Sequence, residues 1–308
     1  MNIPEIDCCI VGAGPAGLTA AIFLARFRRS FRLFGAGDSR AAWIPRSHNH
    51  PAFPGGINGH DLLQRMRRQL GGFGHSPVSA AVTAVVPMPD GRFKVTAGDD
   101  MVLARHLILA TGVRDHLPPV RDAVAHVLEG RIRQCPICDG YEMTDRRLAV
   151  IGHEACAAGE ALFLRSYTDR ITIVTLGRRL DLPPAALGRL RGAGIVVQDQ
   201  PVRDIRFGDD RIVEICLEDH VRLTFDAIYS GLGVTAQSDL GEQLGLELTP
   251  DRRIVTDRRQ ECSVPGVYAA GDVVTGLNQI AVAMAQAEIA AVEIHNRLRR
   301  EELRVLPG

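Results

Sequence analysis

The feature that most constrains the fold is a glycine-rich turn between an apolar run and a helical pattern. Residues 6–11 form the apolar run, and Gly12-Ala13-Gly14-Pro15-Ala16-Gly17 follows before apolar residues recur at helical spacing. This order matches G-x-G-x-x-G between a strand and a helix, the arrangement that binds a dinucleotide pyrophosphate at a helix N-terminus. The turn therefore predicts a strand–turn–helix opening of a nucleotide-binding domain, with a purely structural glycine turn as the alternative.

The same unit occurs a second time at an offset of 140 residues. Five positions of the first copy, Gly12, Gly17, Ala21, Phe23 and Leu24, correspond to Gly152, Ala157, Ala161, Phe163 and Leu164. A chain of 308 residues has room for about two domains at roughly 150 residues each. We therefore predict an α/β fold of two doubly wound Rossmann-like domains, with hinges near Pro118 and Gly241.

Composition excludes several classes of protein. Hydrophobic residues make up 46% and charged residues 23%, with 36 acids balancing 36 bases, as in an ordinary globular protein with no general attraction to nucleic acid or membrane. Residues 8–25 are apolar, but Glu5 and Asp7 precede them and glycines interrupt them, so we expect neither a signal peptide nor a membrane span. Seven cysteines, an odd number, with no secretory leader predict a reducing cytoplasm.

Two further turns favour FAD over a simple NAD site. Thr111-Gly112 and Gly271-Asp272 follow predicted strands in the order found in two-dinucleotide flavoproteins, and residues 279–300 have the pattern of a long helix. The acid expected to hold the ribose is missing, because the second strand ends in Phe34-Gly35-Ala36-Gly37. Asp38 could substitute for it or could be a solvated loop acid or turn cap.

A second motif is the pair of thiols in Cys135-Pro136-Ile137-Cys138-Asp139-Gly140. Cysteines one helical turn apart can form an easily exchanged disulfide. Zinc would require a second pair at ligand spacing, and we expect no metal, while two inert core cysteines are the other alternative. Asp139 could serve as proton donor and acceptor for a thiol if burial raises its pKa, or it could cap a helix.

These motifs together resemble low-molecular-weight thioredoxin reductase, a branch of the FAD-dependent pyridine nucleotide-disulfide oxidoreductases, over nearly the whole chain. The resemblance rests on the Gly12–Gly17 turn, residues 48–56, Ala110-Thr111-Gly112, the Cys135–Gly140 motif and residues 264–272. It implies a homodimer with a discontinuous FAD domain, residues 1–116 and 242–308. Residues 117–241 would form a pyridine-nucleotide-like domain that carries the dithiol.

The resemblance also implies roles for individual residues. Cys138 would face the flavin, Cys135 would attack the partner disulfide, and Asp139 would be the acid. The FAD site would be lined by the Gly12–Gly17 turn together with Asn49, Thr111, Gly112, Gly271, Asp272, Asn278, Gln279 and Ile280. The family usually has Arg-Gln-Ala where this chain has Asn278-Gln279-Ile280, so the flavin environment could differ.

The second nucleotide turn departs from the family pattern. Where the NADPH turn should read G-x-G-x-x-A, the chain has Gly152-His153-Glu154-Ala155-Cys156-Ala157. Glu154 adds a side chain and a negative charge where backbone should approach two phosphates. Arg178 and Arg179 could bind the 2′-phosphate or be solvated, since the family's His and downstream Arg are missing. Whether NADPH is used therefore stays open.

Three hypotheses of function follow. The first is a thioredoxin reductase-like enzyme that passes electrons between FAD and the Cys135/Cys138 pair, with a thioredoxin-like protein or a small dithiol or disulfide as partner. The second is a dithiol oxidase that passes electrons from FAD to oxygen without NADPH. The third is a non-enzymatic flavin redox sensor, which would change state once instead of turning over.

Overall fold

The computed structural model describes residues 3–37, 39–208 and 212–303. The chain divides into two compact units. Unit 1 contains Met1–Ala42, Gly59–Arg114 and Thr235–Gly308, and unit 2 contains Trp43–Asn58 and Asp115–Val234. Asp38, the proposed substitute for the ribose acid, lies outside the described residues.

The strands are, in chain order, β1 (Glu5–Val11), β2 (Phe31–Phe34), β3 (Val82–Pro87), β4 (Phe93–Ala97), β5 (Asp100–Leu109), β6 (Val113–Asp115), β7 (Ile132–Arg133), β8 (Leu148–Ile151), β9 (Ile171–Val174), β10 (Val196–Gln198), β11 (Val202–Phe207), β12 (Val213–Leu217), β13 (Arg222–Phe225), β14 (Ala227–Ser230), β15 (Val234–Ala236) and β16 (Val267–Ala269). The α-helices are α1 (Pro15–Arg26), α2 (Gly59–Gly71), α3 (Ala123–Leu128), α4 (Pro136–Asp139), α5 (Ala155–Leu164), α6 (Pro184–Gly192), α7 (Asp239–Gln243) and α8 (Ile280–Glu301). Short 3-10 turns occur at Arg40–Trp43 and Tyr141–Met143.

Unit 1 is built on one six-stranded sheet. Strands β2, β1, β5 and β16 run parallel, and β4 and β3 extend the sheet in antiparallel fashion from β5. Strand β1 is buried along most of its length because the sheet is covered on both faces, which explains its unbroken apolar sequence. The predicted long helix is confirmed as α8, which packs against α1.

Unit 2 contains a five-stranded parallel sheet in the order β10-β9-β8-β14-β7 and a three-stranded antiparallel sheet, β11-β12-β13. Strand β8 is fully buried, and α5 follows it through the second copy of the glycine turn. The internal repeat therefore corresponds to two strand–turn–helix units, β1–α1 and β8–α5.

The unit boundaries differ from the sequence-based division mainly in one segment, with smaller shifts at residues 115–116 and 235–241. Residues 43–58, which the sequence placed with the first domain, belong to unit 2. A contact links these residues to the dithiol segment, since Asn49 Nδ2 donates to the carbonyl oxygen of Ile137 at 3.5 Å. The chain passes between the units four times: after Ala42, before Gly59, within β6 and within β15. Within the described ranges, no helix combines the length and apolar character needed to cross a bilayer.

Candidate active site

The carboxyl ends of the parallel strands of unit 1 meet at the glycine turn. The Ala110 N–H donates to the Val11 oxygen at 2.7 Å, and the Ala270 N–H donates to the Leu109 oxygen at 3.0 Å. These bonds bring the chain segments after β1, β5 and β16 to one edge of the sheet. In doubly wound sheets this edge is where nucleotides bind.

Two glycines of the turn are required by close approach of the backbone. Gly12 has a φ of +109°, and a Cβ there would lie 2.2 Å from the Ala110 oxygen. A Cβ on Gly17 would lie 1.8 Å from the Gly12 oxygen, because α1 packs directly on the turn. Any side chain at either position would therefore displace the backbone.

The N-terminus of α1 fits a pyrophosphate. Gly14 is the N-cap residue in an extended conformation, no side chain caps the helix, and its first turn carries no acidic residue. The first N–H groups of a helix have no partner within the helix, and the dipole there favours an anion. A Cβ on Gly14 would meet only the Ser39 hydroxyl, at 2.9 Å, so this glycine keeps the approach to the helix end free of side-chain atoms.

Thr111 and Gly112 form a turn held by a residue that the sequence analysis missed. Gln237 Nε2 donates to the Thr111 oxygen at 2.7 Å, and the Gln237 N–H donates to the Gly112 oxygen at 2.9 Å. Thr111 Oγ1 donates to the Gln237 oxygen at 2.6 Å. These three bonds fix the backbone at the end of β5. No motif surrounds Gln237, so sequence alone gave no signal for it.

Gly271 and Asp272 lie over the first turn of α1. A Cβ on Gly271, whose φ is +85°, would lie 3.1 Å from the Cβ of Ala16. The Asp272 carboxylate accepts from Arg40 Nη1 at 3.2 Å, and both side chains are about a fifth exposed, at 18% and 25%. Arg40 therefore brings a positive charge near this turn, another contribution that the sequence did not reveal.

Asn278, Gln279 and Ile280 form the start of α8. Gln279 is the N-cap residue in an extended conformation, and Ile280 begins the helix. Arg253 Nη1 donates to Asn278 Oδ1 at 2.8 Å and to the backbone carbonyl oxygen of Asp272 at 2.6 Å. Arg253 thus supplies a guanidinium beside the position where the family usually has arginine.

The end of β2 explains why the expected acid is absent there. A Cβ on Gly35 would lie 2.6 Å from the Cβ of Ala13, so no acidic side chain fits at this position. Of the predicted cofactor residues, the structure collects the Gly12–Gly17 turn, Thr111, Gly112, Gly271, Asp272 and residues 278–280 in unit 1. Asn49 instead lies in unit 2, where it is hydrogen-bonded to the backbone carbonyl of Ile137.

In unit 2 the two cysteines of the motif form a disulfide. Cys135 is the N-cap residue of α4, Cys138 lies one turn later, and their Cα atoms are 5.3 Å apart. The alternative of two inert core cysteines is therefore wrong. The other cysteines, Cys8, Cys9, Cys156, Cys216 and Cys262, are free. Across the residues that the structure describes, His, Cys, Asp and Glu side chains form no group of three or more able to bind a metal.

Asp139 is the last residue of α4, so the alternative that it caps the start of a helix is wrong. Its Oδ2 accepts from Arg133 Nη1 at 2.6 Å, and its Oδ1 accepts from the Tyr229 hydroxyl at 2.7 Å. Burial raises the pKa of Asp139, while the Arg133 charge and the Tyr229 hydrogen bond oppose the rise. The sequence left open whether Asp139 is a buried acid or a helix cap, and it contained no signal for the two partners.

The second glycine turn differs from the first in its charge. Gly152 has a φ of +156°, and a Cβ there would lie 2.5 Å from the Gly231 oxygen, so this glycine keeps its structural role. Glu154 is the N-cap residue of α5, extended and with its side chain 76% exposed. An exposed glutamate fits this backbone without strain, which differs from the expectation that no side chain fits. Its negative charge lies where the first turn has only Gly14.

Arg178 reaches this second turn through His153. Arg178 Nη1 lies 3.2 Å from His153 Nε2, and that nitrogen lies 3.6 Å from Glu154 Oε1. The structure thus brings Gly152, Glu154 and Arg178 together. Arg179, which follows Arg178 in the sequence, is exposed. Arg178 therefore approaches a turn that already holds a carboxylate.

Comparison with known proteins agrees with this architecture. A family model described as pyridine nucleotide-disulphide oxidoreductase matches residues 6–287. The thioredoxin reductase of Listeria innocua is 30% identical over 308 residues, covering 92% of this chain and 91% of the relative. That of Aquifex aeolicus is 29% identical over 299 residues, covering 94% and 92%.

A solved structure of the thioredoxin reductase from Streptococcus pyogenes shares the fold. Its TM-score is 0.88 at 24% identity, with 97% of this chain and all of that chain covered. The predicted family resemblance and the predicted class of two Rossmann-like α/β domains are thereby confirmed. The chain belongs to the pyridine nucleotide-disulphide oxidoreductase family.

Proposed function

We propose that the chain is an FAD-dependent thiol–disulfide oxidoreductase in which the Cys135–Cys138 pair exchanges electrons with FAD held by unit 1. Thiol–disulfide oxidoreduction is the reaction class of its family and of its thioredoxin reductase relatives. The observation that carries the proposal is the disulfide at the start of α4 beside Asp139, whose side chain is only 19% exposed. The family resemblance implies that such a pair exchanges electrons with a flavin, and the glycine turn of unit 1 is suited to the pyrophosphate of FAD.

Unit 1 would hold FAD through backbone and fixed polar groups. The N-terminus of α1 would bind the pyrophosphate, because its N–H groups lack helical partners and no carboxylate competes. The turns at Thr111-Gly112 and Gly271-Asp272, and the start of α8, would line the remainder of the cofactor. When bound, FAD supplies a two-electron acceptor and donor, which no side chain of this chain can replace.

The cysteine pair would carry out the exchange with the substrate. A substrate thiolate attacks one sulfur of the disulfide and forms a mixed disulfide, and the other cysteine leaves as a thiolate. The second substrate thiol then attacks the mixed disulfide. The substrate leaves oxidised by two electrons, and the enzyme pair gains those electrons as Cys135 and Cys138 thiols. In reverse, the same steps reduce a substrate disulfide.

Following the family resemblance, we assign Cys135 to the substrate and Cys138 to the flavin. The partner class is a thioredoxin-like protein or a small dithiol. Ile137, between the two cysteines, is 45% exposed and would contact a partner with an apolar surface. We place the reaction in a reducing cytoplasm, in keeping with five free cysteines. The homodimer implied by the resemblance stays a prediction.

The second nucleotide turn favours a dithiol over NADPH as the electron donor. Glu154 carries its charge at the N-terminus of α5. A dinucleotide phosphate would otherwise accept hydrogen bonds from the backbone N–H groups there. Two unit charges 4 Å apart repel by about 1 kcal/mol in water and about 4 kcal/mol near a protein surface. Repulsion between the Glu154 carboxylate and the two phosphates of NADPH would therefore weaken NADPH binding by about tenfold or more.

This observation supports a second candidate, the dithiol oxidase. In it a dithiol would reduce the Cys135–Cys138 disulfide, and bound FAD would supply the route by which that electron pair reaches molecular oxygen, which with two protons would become hydrogen peroxide. The reductase runs the same disulfide step in the opposite direction. The sensor hypothesis differs from both, because repeated turnover with excess dithiol would exclude it.

The first prediction concerns FAD binding. The purified protein should contain roughly one FAD per chain, and Gly14→Ala should weaken FAD binding by about tenfold or more, because the added methyl group obstructs the pyrophosphate. The new Cβ meets only the flexible Ser39 hydroxyl, so the fold should be retained. Fluorescence titration of apoprotein with FAD measures the effect.

Gly159→Ala is the matched control, since a Cβ there has open space around it. It should bind FAD like the wild type. A colourless wild-type protein that cannot be reconstituted, or equal FAD affinity in Gly14→Ala, would contradict the assignment of this turn.

The second prediction concerns the roles of the cysteines. Cys138→Ser should abolish electron transfer between dithiol and flavin while leaving FAD bound. Cys135→Ser should leave a Cys138 thiolate beside the flavin, visible as a long-wavelength charge-transfer band in the absorption spectrum. A band in Cys138→Ser and none in Cys135→Ser would reverse the two roles. Cys156→Ser, which changes a free cysteine outside the motif, is the control and should retain electron transfer.

The third prediction concerns the electron donor. Anaerobic rapid mixing should show slow or absent flavin reduction by NADPH and ready reduction by a dithiol. Glu154→Gly should improve reduction by NADPH by about tenfold or more, since it removes both charge and side chain. Glu154→Gln separates the two effects because it keeps the size and removes the charge. Complete reduction of the wild-type flavin by micromolar NADPH within a second would show that NADPH is the donor.

A further inference from the structure

We propose that Arg133 and Tyr229 are positioning residues of the dithiol site, which orient Asp139 through one hydrogen bond to each carboxylate oxygen and favour its ionised form, so that it can receive a proton released by substrate thiols. The inference rests on the proposed function, because it assigns the state of the acid beside the cysteine pair. It extends that function to two residues that belong to no motif of the sequence.

The sheet register places the two residues side by side. Tyr229 on β14 is the Cα partner of Arg133 on the parallel edge strand β7, so both side chains project from the same face of the sheet. The motif begins two residues after Arg133, and the short helix α4 brings Asp139 back over this face. Each carboxylate oxygen of Asp139 thereby receives one donor, Arg133 Nη1 at 2.6 Å and the Tyr229 hydroxyl at 2.7 Å.

The arrangement is a poor choice for stability alone. The Arg133 and Asp139 side chains are only 18% and 19% exposed, and Tyr229 is fully buried. Arg133 Nε is buried without a hydrogen-bond partner. Apolar residues of similar volume often replace such a pair without loss of stability. A buried, incompletely bonded ion pair next to a disulfide instead indicates a role in the site.

The charges around Asp139 define what the pair does. Burial raises the pKa of Asp139 and nearby Glu142 adds to the rise, whereas the charge of Arg133 and the hydrogen bond of Tyr229 lower it. Glu160, on α5, also senses the charge of Asp139, and burial is the main cause that raises its pKa to about 8. Burial also raises the pKa of Tyr229, so its hydroxyl stays protonated and donates.

The sign of the effect follows directly. Arg133 is the only cation among the groups named here, so its removal leaves burial and the Glu142 charge, which favour protonated Asp139, opposed only by the Tyr229 hydrogen bond. An adjacent arginine typically lowers a carboxyl pKa by about one to three units. Without Arg133, Asp139 would hold its proton to a higher pH. It would then accept a proton less readily when a dithiol is oxidised.

The experiment follows the reactivity of the reduced cysteines against pH. The purified full-length protein is reduced with a phosphine, and alkylation of Cys135 and Cys138 by iodoacetamide is timed by peptide mass spectrometry at a series of pH values. Because a carboxylate nearby raises the pKa of a thiol, the ionisation of Asp139 appears as an inflection in the rate profile. The assay requires neither bound flavin nor turnover, so a failed function and a failed inference give different results.

In Arg133→Met the Asp139 inflection should move up by about one to three pH units relative to the wild type. Tyr229→Phe should move it in the same direction by a smaller amount, and Arg133→Lys should largely restore the wild-type profile. Adding Asp139→Asn should remove the inflection from every variant. Arg131→Met, which removes the guanidinium paired with Glu129, is the matched control and should leave the profile unchanged.

Identical profiles for Arg133→Met, Tyr229→Phe and the wild type would overturn the proposal. So would a shift that persists after Asp139→Asn, because Asp139 would then not be its origin. If Arg133→Met does not fold, Tyr229→Phe alone decides, since it keeps the ring that fills the core and removes only the hydroxyl.

Discussion

This molecule depends on one physical constraint. At the start of a helix that follows a buried parallel strand, the first backbone N–H groups have no partner within the helix and must find one elsewhere. The chain builds such a helix start twice, at α1 and at α5. Both copies retain the first glycine because backbone crosses it too closely for a side chain. They differ at the third position, where Gly14 leaves the helix end to an external anion and Glu154 supplies an anion from the chain itself. One difference at equivalent positions thus separates a turn suited to a dinucleotide from one that disfavours it.

The dithiol site depends on a second electrostatic balance. Burial raises the pKa of Asp139, and Arg133 and Tyr229 oppose that rise through two short hydrogen bonds to the carboxylate. Linkage gives the consequence for stability: a carboxyl whose folded pKa is raised destabilises the fold where it must ionise, above its unfolded pKa. The site therefore carries a cost near neutral pH that the arginine reduces. This balance is typical of groups held in a chosen protonation state.

Local patterns in the sequence were sufficient for the main framework. Three motifs can each be recognised within about ten residues, which is the range of turn chemistry: the Gly12–Gly17 turn, its copy at Gly152 and the Cys135–Cys138 pair. Arg40, Arg253 and Gln237 do not, because their partners lie on distant segments and an isolated Arg or Gln resembles any surface residue. The same holds for Tyr229, which looks like an ordinary core aromatic until the register sets it beside Arg133. Residues 43–58 group with unit 2, and their contact with the dithiol segment, such as that of Asn49 with Ile137, joins segments far apart in sequence, which no periodicity encodes.

The central claim is that electrons pass between the cysteine pair and a flavin in the same chain. Anaerobic titration of the FAD-loaded wild-type protein with dithiothreitol, followed by the flavin absorbance and by free-thiol counting, tests it most directly. Because each dithiol delivers two electrons, the account predicts uptake of about two equivalents per chain, with the disulfide opened and the flavin fully bleached. A flavin that stays oxidised in excess dithiothreitol after the Cys135–Cys138 disulfide has opened would contradict it.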